Sequence, residues 1–175
     1  MSDNPRKKRL RILSTALNLD RIPLIGFGTN AVKTPQVIYN ALSVGYRHLD
    51  LAENYNNLQH VKQALTLALA SLMEGSLEIE RKDNWITMKI PVVISINNIN
   101  ALLAEVGIDY FDLLLYHYPF SMFDSKAQLK QSWIHMTELP KATVNRIGVS
   151  NFYDSRLTKL FDVCQDLNLQ KPFAY

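Results

Sequence analysis

The sequence predicts an α/β fold built on a parallel sheet. Three observations predict it. Short apolar runs alternate strictly with amphipathic stretches of helical period, glycine and proline punctuate nearly every junction, and polar residues gather where the apolar runs end. Alternation of this kind implies βαβ units, whose strands lie parallel because each crossover returns the chain to the same end of the sheet. The 175 residues are enough for one domain with a real core.

The elements follow in order. IPLIGFG (22–28) reads as the first strand. Thr34 and Pro35 read as N-cap and first position of a helix, because proline lacks only a donor that is orphaned there anyway. Val37, Ile38, Ala41 and Leu42 form its apolar stripe, and Gly45 ends it. YRHLDLA (46–52) is the second strand. A helix striped by Val61, Ala64, Leu65, Ala68, Leu69 and Leu72 stops near Gly75. WITMKI (85–90) is the third strand. Ile96, Ile99, Leu102, Leu103 and Val106 stripe the next helix, which Gly107 stops. FDLLLYH (111–117) is the fourth strand, ended by Pro119, and a helix through Trp133 and Met136 follows. RIGVSN (146–151) is the fifth strand. Leu157, Leu160, Phe161, Cys164 and Leu167 stripe the last helix, and KPFAY begins a sixth strand.

Composition narrows the function classes. A hydrophobic fraction of 47% suits a packed globular chain. No apolar run approaches the roughly 20 residues that span a bilayer. The net charge of +3 is concentrated at one end: five of the 19 basic residues lie in PRKKRLR, within a tail taken as residues 1–16. The body, residues 17–175, is near neutral, which argues against nucleic acid as its partner. One cysteine excludes an internal disulfide, and with a polar N-terminus it favours the cytoplasm.

Two architectures fit the alternation, an open doubly wound sheet or a (β/α)₈ barrel. The open sheet suits the length, since a barrel takes about 250 residues. It also predicts a GxGxxG turn after the first strand. GFGTNA (26–31) has Gly26 and Gly28 but Ala31 in the third place, and no helix follows at once.

Asp50, Lys89, His117, Ser150 and Asn151 stand at strand ends, with Tyr55 in the loop after Asp50. Each alone has a plain reading as turn, solvated or structural residue. Together they converge on one rim, because the ends of parallel strands open on one face. A free phenol titrates near pH 10, and a neighbouring ammonium makes it a better acid. Tyr55 beside Lys89, with Asp50 holding the ammonium and His117 donating a hydrogen bond to a substrate oxygen, suits protonation of a carbonyl as hydride reaches its carbon. Side chains do not carry hydride, so a nicotinamide cofactor is implied. A metal site on His48, Asp50 and His117 would leave Tyr55 and Lys89 idle, and no metal is assigned. Cys164, Trp133 and Met136 read as packing. His60 and His135 show no partners, Asp109 reads as a turn, and Asp112 as a strand-edge charge.

IPLIGFGT, GYRHLDLAENYNN, ITMK, DYFDLLLYHYP and IGVSNF together resemble an aldo-keto reductase, from about residue 17 to the end. The resemblance implies a (β/α)₈ TIM barrel, here a truncated one of five βα units plus the start of a sixth strand. It implies an aldehyde or ketone reductase using NADPH or NADH without a Rossmann motif. Asp50, Tyr55, Lys89 and His117 correspond to the catalytic tetrad, with Tyr55 the acid and His117 at the substrate. Gly28, Thr29, Asn30 and Asp50 fall beside the nicotinamide ribose, and Ser150 and Asn151 beside its carboxamide. Leu58 departs from the usual acidic residue there. The alternative is an inactive truncated chain serving as an interaction module. Five strands alone would leave edges open and uncover Leu24, Leu49 and Leu113, inviting a homodimer or a complementing chain.

Overall fold

A computed structural model of the chain describes residues 22–70, 79–91, 96–119 and 125–175. The tail 1–16, residues 17–21, and the expected helix end at Leu72 and Gly75 lie outside the described residues. Strands β1 (Phe27–Gly28), β2 (His48–Ala52), β3 (Trp85–Ile90), β4 (Phe111–Tyr116) and β5 (Val144–Val149) alternate with helices α1 (Pro35–Ser43), α2 (Leu58–Leu69), α3 (Ile96–Val106), α4 (Lys126–Thr137) and α5 (Asp154–Asp166). All strand pairs are parallel, and the spatial order is β1-β2-β3-β4-β5, the order of the sequence. A doubly wound sheet reverses its strand order at a switch point. This sheet never does, so it is part of a barrel wall. No helix among the described residues is long and apolar enough to cross a membrane.

Strand alternation sorts the side chains. Leu49, Leu51, Ile86, Met88, Ile90, Leu114, Tyr116, Ile147 and Val149 pack outward under the helices, joined by Ile38 and Leu42 of α1, Val61 and Leu65 of α2, and Leu160 and Cys164 of α5. Each fully buried aliphatic chain contributes about 1.5–3 kcal/mol. Trp85, Leu113 and Leu115 face inward as a separate small cluster, covered by Ile22, Phe173 and Ala174. Trp133 and Met136 are buried on α4, and Cys164 is a buried free thiol. Glycine stops work as read: Gly45 and Gly107 take φ of 109° and 77° after their helices. Ser125, which the sequence reading passed over, caps α4 by accepting from the Gln128 N–H at 3.2 Å.

Several expectations change. The first strand shrinks from 22–28 to two residues, because Pro23 has no donor and Leu24 and Ile25 are 64% and 60% exposed rather than paired. The second strand starts at His48 rather than 46, because the Tyr46 N–H still serves α1 through the Ala41 carbonyl (3.0 Å), and Arg47 donates to the Leu42 and Tyr46 carbonyls. The fifth begins earlier and ends earlier than 146–151: Val144 pairs with Phe111, and Asn151 turns left-handed at φ 59°. KPFAY forms no strand of its own. It nevertheless lies along β5, where Phe173 N–H donates to Ile147 (2.8 Å) and Val149 N–H to Ala174 (3.0 Å). This same segment covers Leu113, and Leu49 is fully buried, so of the three residues expected to lose cover only Leu24 does.

Two charge readings are also corrected. Asp112 is no edge charge: at 2.8 Å it pairs with Arg81, and at 2.9 Å it accepts from the Ile86 N–H, which locks β3 to β4 at the sheet's lower end. His135 has a partner in Gln131 at 2.9 Å.

Gly148 sits where residues 173–174 cross β5. A Cβ there would lie 2.5 Å from the Ala174 carbonyl oxygen and 2.7 Å from Leu115 Cδ2. Backbone cannot give way as a flexible side chain can. Gly148→Ala is therefore expected to cost about 1–3 kcal/mol, read as a lowered thermal midpoint; an unchanged midpoint would show that the crossing segment is not held there.

Candidate active site

Asp50 and Lys89 reach each other because alternation places both on the inner face. Lys89 pairs in register with Ala52, and Asp50 lies two residues earlier on the same face. The small Ala52 side chain leaves Lys89 room to lean back, and its Nζ donates to Asp50 Oδ2. The lysine side chain is 9% exposed and the carboxylate 33%. A buried ammonium needs such a partner, since an unpaired one is costly to desolvate.

A 3₁₀ turn (Glu53–Tyr55) directly after β2 swings Tyr55 back over the pair. Asn56 closes the turn in the left-handed region at φ 55°, a conformation asparagine tolerates better than most residues. The Lys89 ammonium lies 5.3 Å from the centre of the Tyr55 ring. The edge of that ring meets the His117 imidazole at 5.8 Å and 81°. His117 follows β4 directly and continues its pairing through an N–H bond to Ile90 O at 2.8 Å.

The other expected residues join the same rim through the main chain. Thr29 is buried and donates to the Asp50 carbonyl from both N (3.0 Å) and Oγ1 (2.9 Å). Gly28 is paired with Asp50, and a Cβ on it would meet no atom within 4 Å. Asn30 lies exposed in the turn beyond. Ser150 N–H donates to Tyr116 O at 2.7 Å, and Asn151 Nδ2 donates to His117 O at 2.6 Å and to Ser150 Oγ at 3.0 Å. All nine residues thus stand at one end of the sheet, where four of them, Asp50, Lys89, Tyr55 and His117, touch in a chain. His48 does not join His117: it hydrogen-bonds Thr87 at 2.9 Å, and among the described residues no three His, Cys, Asp or Glu side chains are grouped to hold a metal.

Three residues matter that the sequence reading passed over. Thr87 is buried beneath the ion pair, accepting from Trp85 Nε1 at 3.1 Å while bonding His48. Its signal was parity, since 85, 87 and 89 share a face. Asn57 donates to the carbonyls of Thr29 (2.7 Å) and Val32 (3.2 Å), fixing the turn after β1 to the loop after β2. Tyr118 stacks on His117. Nothing in the sequence pattern marks the last two.

Burial is the main force lowering the pKa of His117, helped by the Lys89 charge and opposed by Asp50. Burial also lowers His48, opposed first by Asp50 and Asp112. Both are therefore neutral at pH 7. The unfolded chain binds their protons more readily, so their contribution to stability is fully present above about pH 6.5 and is lost as pH falls through the lowered folded values. The denaturant midpoint is expected to drop between pH 7 and pH 5, and His48→Asn with His117→Asn should flatten that drop; an equal drop in the double variant would assign it elsewhere.

The sequence model of the aldo/keto reductase family matches residues 25–172. The chain belongs to the aldo/keto reductase family. It is 35% identical over 162 residues to the D/L-glyceraldehyde reductase of Hypocrea jecorina, covering 75% of this chain and 46% of that protein. It is 32% identical over 145 residues to the NAD/NADP-dependent indole-3-acetaldehyde reductase of Schizosaccharomyces pombe, covering 75% and 47%. Among solved structures, the aldose reductase of Schistosoma japonicum superposes with a TM-score of 0.71 at 27% identity, over 87% of this chain and 56% of that one. The chain spans about half the length of the curated relatives it matches. Five barrel strands in sequence order agree with that coverage, and the sheet is a partial (β/α)₈ barrel. The GxGxxG turn belongs to a doubly wound sheet, and this sheet is not one, so its absence from GFGTNA fits the barrel wall.

Proposed function

We propose that this chain carries the reaction rim of an NADPH- or NADH-dependent reductase that converts an aldehyde or ketone to an alcohol. The observation that carries the reading is the contact chain Asp50–Lys89–Tyr55–His117 at one end of a parallel sheet. Tyr55 holds the proton that passes to the carbonyl oxygen. The Lys89 ammonium, beside the ring, stabilises the negative charge left on the phenol oxygen. Asp50 accepts from that ammonium and aims it. His117, neutral and buried, has an N–H to offer the carbonyl oxygen, which orients the substrate.

The residues present fit a nicotinamide cofactor. Open space in front of Gly28 lets a flat group approach the main chain beside Asp50, and Ser150 and Asn151 border the same rim. When bound, the cofactor supplies the hydride. Gly28, Thr29, Asn30 and Asp50 would hold its ribose side, and Ser150 and Asn151 its carboxamide. The names of the two relatives, a glyceraldehyde reductase and an indole-3-acetaldehyde reductase, support a small carbonyl substrate. The lone buried thiol, Cys164, suits the reducing cytoplasm. Purified protein mixed with NADPH or NADH and glyceraldehyde should oxidise the nicotinamide with stoichiometric formation of alcohol. No turnover with either cofactor across a panel of aldehydes would overturn the reading.

A further inference from the structure

A functional histidine is usually oriented by a hydrogen bond from its second ring nitrogen. His117 is not. Its Nδ1 is buried and has no hydrogen-bond partner among the described residues. The bond from its N–H to the Ile90 carbonyl and the bond its carbonyl accepts from Asn151 hold its main chain and do not involve the ring. Two aromatic rings hold it instead. Tyr55 meets it edge-on, and Tyr118 stacks on its face at 4.1 Å and 23° between planes.

We propose that Tyr118 is a positioning residue: its ring, stacked on the imidazole, replaces the missing hydrogen bond and fixes the direction in which His117 presents its N–H to the substrate oxygen. Tyr55 makes a perpendicular contact with centroids 5.8 Å apart, and Tyr118 is the closer of the two rings. Tyr118 is itself 41% exposed. Aromatic pairs contribute more than the area they bury, and here the tyrosine ring lies over the imidazole with the planes 23° apart. The inference rests on the reading of His117 as the group that orients the carbonyl.

The test compares Tyr118→Leu and Tyr118→Phe in histidine-labelled protein, with the His117 ring signals assigned by His117→Asn. Stacking over a tyrosine face displaces those signals through the ring current. Tyr118→Leu should remove the part of the displacement that Tyr118 causes, leaving that of Tyr55, and Tyr118→Phe should keep both. In parallel, kcat for aldehyde reduction should fall about tenfold in Tyr118→Leu, with KM little changed, and recover in Tyr118→Phe. Should the leucine variant not fold, Tyr118→Met makes the same comparison. His117 signals that stay in place in the non-aromatic variant would overturn the inference. The spectra decide the stacking whether or not the protein turns over; absence of turnover in the unsubstituted protein would instead count against the reductase reading.

Discussion

Tyr55→Phe is expected to lower kcat for aldehyde reduction by about 100- to 10,000-fold, the range a positioned general acid contributes. The substitution removes one oxygen and keeps the ring. That ring makes the contacts seen here: it packs edge-on against His117 and lies beside the Lys89 ammonium. Phenylalanine preserves both, so the thermal midpoint should move little and the loss should fall on kcat rather than on folding. Turnover and unfolding measured on the same preparation check this. A variant that keeps more than a tenth of the activity would remove Tyr55 from the role of proton donor, and His117 would become the next residue to test.

Breaking the Asp50–Lys89 pair is expected to cost stability unequally from its two sides. Asp50→Asn strands an ammonium whose side chain is 9% exposed; Lys89→Met strands a carboxylate that is 33% exposed. Removing one partner of a buried pair costs about 3–5 kcal/mol because the remaining charge is left desolvated. The asparagine variant should approach the lower end of that range. A carboxylate that reaches water loses much less, and a methionine fills the lysine's apolar track, so Lys89→Met should cost about 1 kcal/mol. Both variants should lose activity, since each removes the positive charge beside Tyr55 or the group that aims it. Denaturant midpoints compared at pH 7 distinguish the two. Equal costs would mean that Lys89 finds water or another acceptor once Asp50 is neutral.

Much of this chain can be read from its sequence because the signals are local. The period of the apolar residues sets strand against helix, and glycine at positions 45 and 107 ends two helices, since a positive φ costs glycine little. Parity along a strand puts Asp50 and Lys89 on one face, and parallel pairing puts Tyr55 and His117 at the same end. Five motifs in order were enough to suggest the family. The strand limits were less legible because they depend on hydrogen-bond partners from elsewhere. Tyr46 is held by α1, Val144 finds Phe111, and the exposed run at Leu24 and Ile25 pairs with no strand among the described residues. Asp112 shows the same limit. A charge near a strand start looks solvated until Arg81, 31 residues earlier, closes on it. Tertiary structure alone decided how the site is held. Asn57 ties the β1 turn across 28 residues, Thr87 links Trp85 to His48, and Tyr118 rests on the imidazole beside it. Composition and period carry no record of such contacts, because they follow from where two separated backbones come to lie and which rotamers remain open once they do.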